Sequence, residues 1–393
     1  MAKILVVAPT PFFSNRGCHI RILEESLALE KLGHQITIAT YHIGEDIDQR
    51  IKTSIDVRRI RRLLFWYKKF DAGPDWQKVI LDIMLIRKTF YLARTQRPDI
   101  IHGHLHEGVL IGWIVQKALF WRKMKLVADF QGSLTGEMLS HGYLKRGLKR
   151  VFALMENFIN KLGDWAITSS WACTDGIKKS RYDGKAETIL DGINKESFNI
   201  ADSKEELKRE WEAPVGKFII GYTGGLVFYK GIDFLLKAMP LILQETKDVY
   251  FMIAGFPPEE SEKFIRQNNL GEYARVISPL DYFKLPEFLK ICDVAVDPKG
   301  IDTGQASGKI LNYIAAGLPV VCFDKPNNRK YLGDGGQYCS QVSAQSLAEG
   351  ILSLKNNPEE RMRKGQLNKN MAEKYSWDIS AKRVDEIYRE LLK

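Results

Sequence analysis

The chain has 393 residues, of which 45% are hydrophobic and 27% charged, and its formal net charge is +10. That length exceeds one ordinary core and the composition is globular, so two folded domains are expected rather than a disordered or fibrous chain. The five cysteines, Cys18, Cys173, Cys292, Cys322 and Cys339, form no CxxC pair. This argues against a disulfide framework or a zinc site and for a reducing, cytoplasmic setting.

The opening Lys3 to Ala8 is too short and strand-like for a signal peptide, and no cleavage site follows it. The run Gly108 to Trp121 is interrupted by Gln116 and Lys117, so no membrane span is expected. The positive charge favours an anionic partner. Three segments mix cations with large apolar groups: Arg58 to Phe70, Trp121 to Lys125 and Tyr143 to Arg150. Such segments suit an anionic membrane surface, with basic heads on phosphates and aromatics at the interface. A solvated basic face with core aromatics is the plainer alternative. A nucleic-acid partner is not expected, because the basic segments lie apart and match no nucleic-acid module.

In chain order, residues 3 to 10 read as a buried parallel strand. A loop containing Gly17 follows, then a helix marked by Ile20, Leu23 and Leu27 that stops at Gly33, then a strand at Ile36 to Thr40. Helices at Val79 to Arg94, Gly108 to Phe120 and Leu144 to Leu162 alternate with strands at Asp99 to His102, Lys125 to Phe130, Trp165 to Ser169 and Glu187 to Leu190. That alternation predicts a doubly wound α/β domain over residues 1–192. A charged lead-in with Pro214 and Gly216 opens a second series over 193–376. Its strands are at Phe218 to Tyr222, Tyr250 to Ala254, Val276 and Ile277, Val294 to Val296 and Val320 to Phe323. Residues from Ser343 on are helical, and 377–393 read as a final amphipathic helix.

The chemistry concentrates in the second domain. Ser307-Gly308-Lys309 reads as a helix start, with Ser307 as N-cap and Gly317 as the stop. Lys309 in the first turn opposes the helix dipole unless an anion lies between them. Gly224 and Gly225 follow the first strand of this domain, and Lys230 lies close to the next helix start. Two lysines at helix N-termini after small-residue loops suit a diphosphate. Two unrelated surface lysines are the alternative. Asp297 and Asp302 flank the loop before Ser307 and suit sugar hydroxyls or turns equally. His102, His104 and His106 fall on one face if the strand runs through them. No further histidine or cysteine motif completes a metal site, so cleft-lining or structural histidines are expected, and no metal.

Together these pieces resemble the family 4 retaining glycosyltransferases of the GT-B fold. The resemblance is carried by the Gly17 loop with Leu32 to Thr37, Pro98 to His104, Leu190-Asp191-Gly192-Ile193, and Tyr229-Lys230-Gly231. It continues through Phe251 to Gly255, Cys292-Asp293-Val294 and Tyr313 to Val321. It implies two Rossmann-like domains facing across a cleft, with the C-terminal helix crossing back to the first. The second domain would hold a UDP-, GDP- or ADP-sugar; the first would hold a saccharide or lipid-linked acceptor. It implies no metal or other cofactor, since lysines and helix dipoles take the cation's place on the diphosphate. The leaving phosphate would deprotonate the acceptor hydroxyl on the same face of the sugar.

Carried over residue by residue, the donor diphosphate falls to Gly17, Gly224, Gly225, Lys230, Ser307, Gly308 and Lys309. The donor sugar and ribose fall to Asp302, Gly304 and Asn312, and the nucleobase to the backbone at Pro279 and Leu280. Asp129, Gln131 and His104 are the candidate catalytic residues. The chain departs from the family pattern in places. Gly225 stands where many relatives carry an arginine, and Gly304 and Asn312 stand where they carry a Glu-x7-Glu pair. Gln131 replaces a usual histidine. Other activities on this architecture are a nucleotide-sugar epimerase, a glycoside phosphorylase, and a relative that binds a nucleotide sugar without turnover.

Overall fold

The computed structural model describes residues 1–67, 75–140, 146–181, 183–301 and 307–393. Seven strands, β1 (Lys3–Ala8), β2 (Gln35–Thr40), β3 (Asp56–Arg59), β4 (Ile100–His104), β5 (Lys125–Phe130), β6 (Trp165–Thr168) and β7 (Ala186–Thr188), form one sheet. Their order is β3-β2-β1-β4-β5-β6-β7, and every pairing is parallel. Apolar runs such as Ile4 to Ala8 are buried along their length, as strands covered by helices on both faces must be.

Six further strands form a second parallel sheet: β8 (Phe218–Gly225), β9 (Val249–Phe256), β10 (Ala274–Ile277), β11 (Val294–Asp297), β12 (Val320–Phe323) and β13 (Gly336–Cys339). Their order is β10-β9-β8-β11-β12-β13. Among the described residues, one unit holds 1–192 and 377–393, and the other holds 193–301 and 307–376. Each sheet has its own apolar core.

The last helix, Trp377–Leu392, belongs to the first unit and packs on the helix Gly17–Lys31. Polar contacts fix its register. Asp385 lies 3.0 Å from His34 Nε2, and the Tyr388 hydroxyl lies 2.6 Å from His102 Nδ1. Ser380 donates to the Leu190 carbonyl at 3.0 Å, and Arg383 grips both oxygens of Glu187 at 2.7 Å.

Three elements depart from the sequence expectation. β3 (Asp-Val-Arg-Arg) is a charged edge strand with no apolar run to announce it, and β13 is a four-residue strand at the opposite kind of edge, in the second sheet. Short, polar edges are how open sheets avoid pairing with other chains. A short helix, Leu134–Ser140, which the pattern did not predict, precedes Arg146–Ile159, which lies within the helix expected at Leu144 to Leu162. Lys68, Lys69 and Phe70 of the first basic segment and Tyr143 to Lys145 of the third lie outside the described residues.

Candidate functional site

In the second unit the sheet changes direction between β8 and β11, where open α/β sheets receive their ligands. Gly224 and Gly225 end β8 at this point. Gly224 has φ +131°, and a side chain there would come within 3.9 Å of Lys309 Nζ. A side chain on Gly225 would come within 3.5 Å of Lys230 Cγ. The glycine turn thus runs between the two lysines, so the structure brings four of the expected diphosphate residues together. Gly231, after Lys230, starts the helix Ile232–Glu245 with φ +81°. A Cβ on it would collide with the Pro298 carbonyl oxygen, so this approach of β8 to β11 requires glycine.

Lys309 is not an uncompensated cation. Its Nζ lies 2.9 Å from Asp297 Oδ1 at the end of β11, and its side chain is 12% exposed. Nζ also lies 4.5 Å from the centroid of the Tyr222 ring. Burial works against its charge, but the Asp297 carboxylate, Tyr222 and Tyr313 together outweigh burial and hold the lysine protonated above its usual range. The anion expected at Lys309 is therefore supplied in part by the chain itself. Ser307 occupies the N-cap position of the helix Gly308–Ala315, but its hydroxyl donates to Asp297 Oδ2 at 3.3 Å and does not cap the helix. The expected cap is corrected: the strand-end carboxylate competes better for the hydroxyl than the helix amides do. Tyr313, one helical turn on, accepts from the Thr223 amide at 2.9 Å and locks this helix to β8.

Asn312 is half-buried on the same helix. Pro279 and Leu280 follow β10, two strands away from the β8–β11 gap. Asp302 and Gly304 lie outside the described residues. Gly17 belongs to the first unit, where it begins an exposed helix N-terminus.

The first unit holds a buried polar network that the sequence reading found only in part. Arg21 is 1% exposed. Its Nε donates to Asp129 Oδ2 at 2.8 Å, its Nη1 to Asp191 Oδ1 at 2.8 Å, and Glu25 Oε2 lies 3.5 Å from Nη2. His104 Nδ1 lies 3.2 Å from the same Asp129 oxygen, and Gln131 Nε2 lies 3.5 Å from His104 Nδ1. The candidate catalytic trio is thus brought together, but Asp129 is fully buried. Its expected contact with substrate hydroxyls is corrected to a role behind His104, and only Gln131 of the three is partly exposed. Burial pushes the Glu25 carboxyl up to about 7 despite Arg21. Burial opposes the charge of Asp129, but Arg21, His104 and His102 together outweigh it and hold the carboxyl below its usual range. Arg21 and Glu25 were legible only as an i, i+4 charge pair inside an apolar helix.

The histidine row is broken by the backbone. β4 ends at His104, and Leu105 turns through φ +61° into the helix Leu105–Ala118. His102 and His104 stack with ring centroids 4.5 Å apart, whereas His106 packs on Phe130 at 5.0 Å. Among the described residues, Glu25, His102, His104 and Asp129 form the one cluster with metal-ligand types close together. The Arg21 guanidinium already holds Asp129, so a cation there would sit against a like charge.

The surface of the first unit exposes large apolar groups beside cations. Phe65 and Trp66 pair edge to face at 4.9 Å, as do Phe120 and Trp121 at 5.2 Å. Leu148, Val151, Leu154, Met155 and Phe158 are exposed at helical spacing along Arg146–Ile159. No described helix is long and apolar enough to cross a membrane.

Residues 16–197 match the family described as Glycosyltransferase Family 4, and residues 203–371 match Glycosyl transferases group 1. The chain is 21% identical to the D-inositol 3-phosphate glycosyltransferase of Corynebacterium kroppenstedtii, over 96% of this chain and 86% of that protein. Its fold is similar to sucrose-phosphate synthase from Thermosynechococcus elongatus, with a TM-score of 0.81 at 15% identity, covering 100% of this chain and 99% of that one. It is also similar to Anabaena HepE in complex with UDP and glucose, with a TM-score of 0.76 at 14% identity over 99% and 100% of the two chains.

Proposed function

Because the chain belongs to family 4 of the glycosyltransferases and has the GT-B fold, we propose that it transfers a sugar from a nucleotide diphosphate to an acceptor hydroxyl with retention of configuration. The observation that carries this reading is the Gly224-Gly225 turn between Lys230 and Lys309. Backbone at a glycine turn, two cations and the starts of the helices Ile232–Glu245 and Gly308–Ala315 together offer a diphosphate more positive potential than a lone surface lysine could. These groups stabilise the negative charge that grows on the diphosphate as the sugar departs, the task a metal ion performs in other transferases. The bond from the anomeric carbon to the phosphate oxygen breaks, and the bond to the acceptor oxygen forms on the same face. The acceptor's proton passes to the departing phosphate oxygen, which removes the need for a separate base.

In this reading the second unit holds the donor, with Asn312 toward the ribose or sugar and the backbone at Pro279 and Leu280 toward the base. The first unit holds the acceptor, with Gln131 toward its hydroxyls, His104 behind Gln131 and Asp129 orienting His104. The exposed aromatic pairs and the apolar stripe of Arg146–Ile159 rest on an anionic membrane surface, which suits a lipid-linked acceptor.

Thermal-shift titration with UDP, GDP, ADP and their sugars tests the donor site. At least one nucleotide should raise the melting temperature. Lys230→Ala and Lys309→Ala should each weaken that nucleotide by about tenfold or more, the loss of one charge-assisted contact to phosphate. A folded protein that responds to no nucleotide would overturn the reading.

A further inference from the structure

Beside the Gln131 loop, the first unit contains a cavity of ≈ 260 Å³ between the helices Arg146–Ile159 and Trp171–Ser180. One wall is polar, formed by Ser133, Glu156, Asn157 and Asn160. The opposite wall, from Ala172 to Gly176, is small, so the space between the helices is left unfilled. A side chain built on Gly176 meets nothing within 4 Å.

The polar wall asks for hydrogen-bond donors. Asn160 is 7% exposed, and its Oδ1 has no partner among the described residues. A buried amide oxygen without a donor is costly, so a ligand that supplies one is favoured. Glu156 accepts from the Leu134 and Thr135 amides, one to each carboxylate oxygen, at 3.0 Å. Burial opposes its ionisation, but hydrogen bonds from Thr135 and Ser133 outweigh it and keep the carboxyl below its usual range. Two acceptors, one of them anionic, repel phosphate and suit neighbouring hydroxyls.

The cavity's lining is also close in the chain to the candidate acceptor groups. Ser133 is two residues beyond Gln131, and Glu156 Oε1 lies 3.9 Å from His106 Nε2, which follows His104 by two residues. The volume falls below the roughly 300–1,000 Å³ of drug-sized sites and suits a single small polar ligand. We propose that this cavity is a subsite for one uncharged sugar or cyclitol ring of the acceptor, gripped through a diol by Glu156 and Asn160. The proposal rests on reading the first unit as the acceptor side.

Saturation-transfer NMR on the full chain tests it, with uncharged hexoses, N-acetylhexosamines and myo-inositol as probes and inorganic phosphate as competitor. At least one probe should bind, and phosphate should not displace it. Gly176→Leu puts a helix-favouring side chain into the empty space and should weaken that probe by at least about tenfold. Its melting temperature and its nucleotide affinity should stay those of the parent. Asn160→Leu should weaken the same probe. If no probe binds, if phosphate displaces it, or if Gly176→Leu binds it as tightly as the parent, the subsite is excluded. Nucleotide affinity, read in the same samples, separates failure of the subsite from failure of the transferase reading.

Discussion

Each unit buries a cation among carboxylates near the carboxyl ends of a parallel sheet, yet the two arrangements behave in opposite ways. Arg21 is sealed at 1% exposure and faces three carboxylates, Asp129, Asp191 and Glu25. Lys309 faces one, Asp297, keeps 12% of its side chain exposed, and has an open glycine turn beside it. Around Arg21 negative charge is in surplus, and the surplus is relieved by holding Glu25 close to its protonated form. Around Lys309 the charges balance, so an arriving anion meets a neutral pair beside the glycine turn. A saturated cation organises structure, and a singly paired one beside a glycine turn is equipped to bind.

The largest expected effect is the one that would break this contrast. Arg21→Met leaves its carboxylates without a counter-ion and should cost about 3–5 kcal/mol of stability, read from denaturant midpoints, with nucleotide affinity unaltered. Lys309→Met should cost less, roughly 3 kcal/mol, since it leaves one buried carboxylate unpaired rather than three. The double variant Lys309→Met with Asp297→Asn should recover most of that stability but none of the nucleotide affinity. Recovery of both would reduce Lys309 to a structural partner of Asp297.

Acidity sharpens the same comparison. His19 is pushed down to about 3, chiefly by burial, and His102 is held well below its ordinary value for the same reason. Their folded-state values are depressed, so their contribution is complete above the unfolded value of about 6.5 and is lost as pH falls below it. Glu25, raised to about 7, acts the other way, contributing below its unfolded value and losing that contribution as pH rises toward 7. Between roughly pH 6.5 and 4.5 these three groups leave one net proton, or about 1.4 kcal/mol lost per pH unit of acidification. Glu25→Gln removes one opposing group, and the slope should then steepen by about 1.4 kcal/mol per pH unit. An unchanged slope would show that Glu25 does not titrate in this range. The smallest effect on stability belongs to the surface: Leu154→Gln, at a position 70% exposed, should shift stability by less than about 0.5 kcal/mol. It should nonetheless reduce co-sedimentation with anionic vesicles.

Much of the fold was legible because buried parallel strands are continuous apolar runs, such as Lys125 to Phe130, and helix stops are marked by glycines, such as Gly33. β3 and β13 escaped because β3 fully buries none of its four residues and β13 only two. The donor-side lysines were visible as cations at helix starts, where a positive charge is out of place. Their partner was harder to see, since Asp297 meets Lys309 through a fold that turns back on itself over a loop. The Arg21 network was the least legible. It joins a helix, two strands and residue Asp191 across more than a hundred positions of chain, and nothing local in the sequence reports which charges end up out of water.

The helix Trp377–Leu392 also sets an order of events. Protein synthesis delivers the first unit's sheet early, but His102 and His34 meet Tyr388 and Asp385 only after residues 377–392 have left the ribosome. The second unit can therefore mature while the first still waits for its closing piece. A frameshift or early stop just ahead of Trp377 would damage the first unit more than the second, whose sequence precedes it.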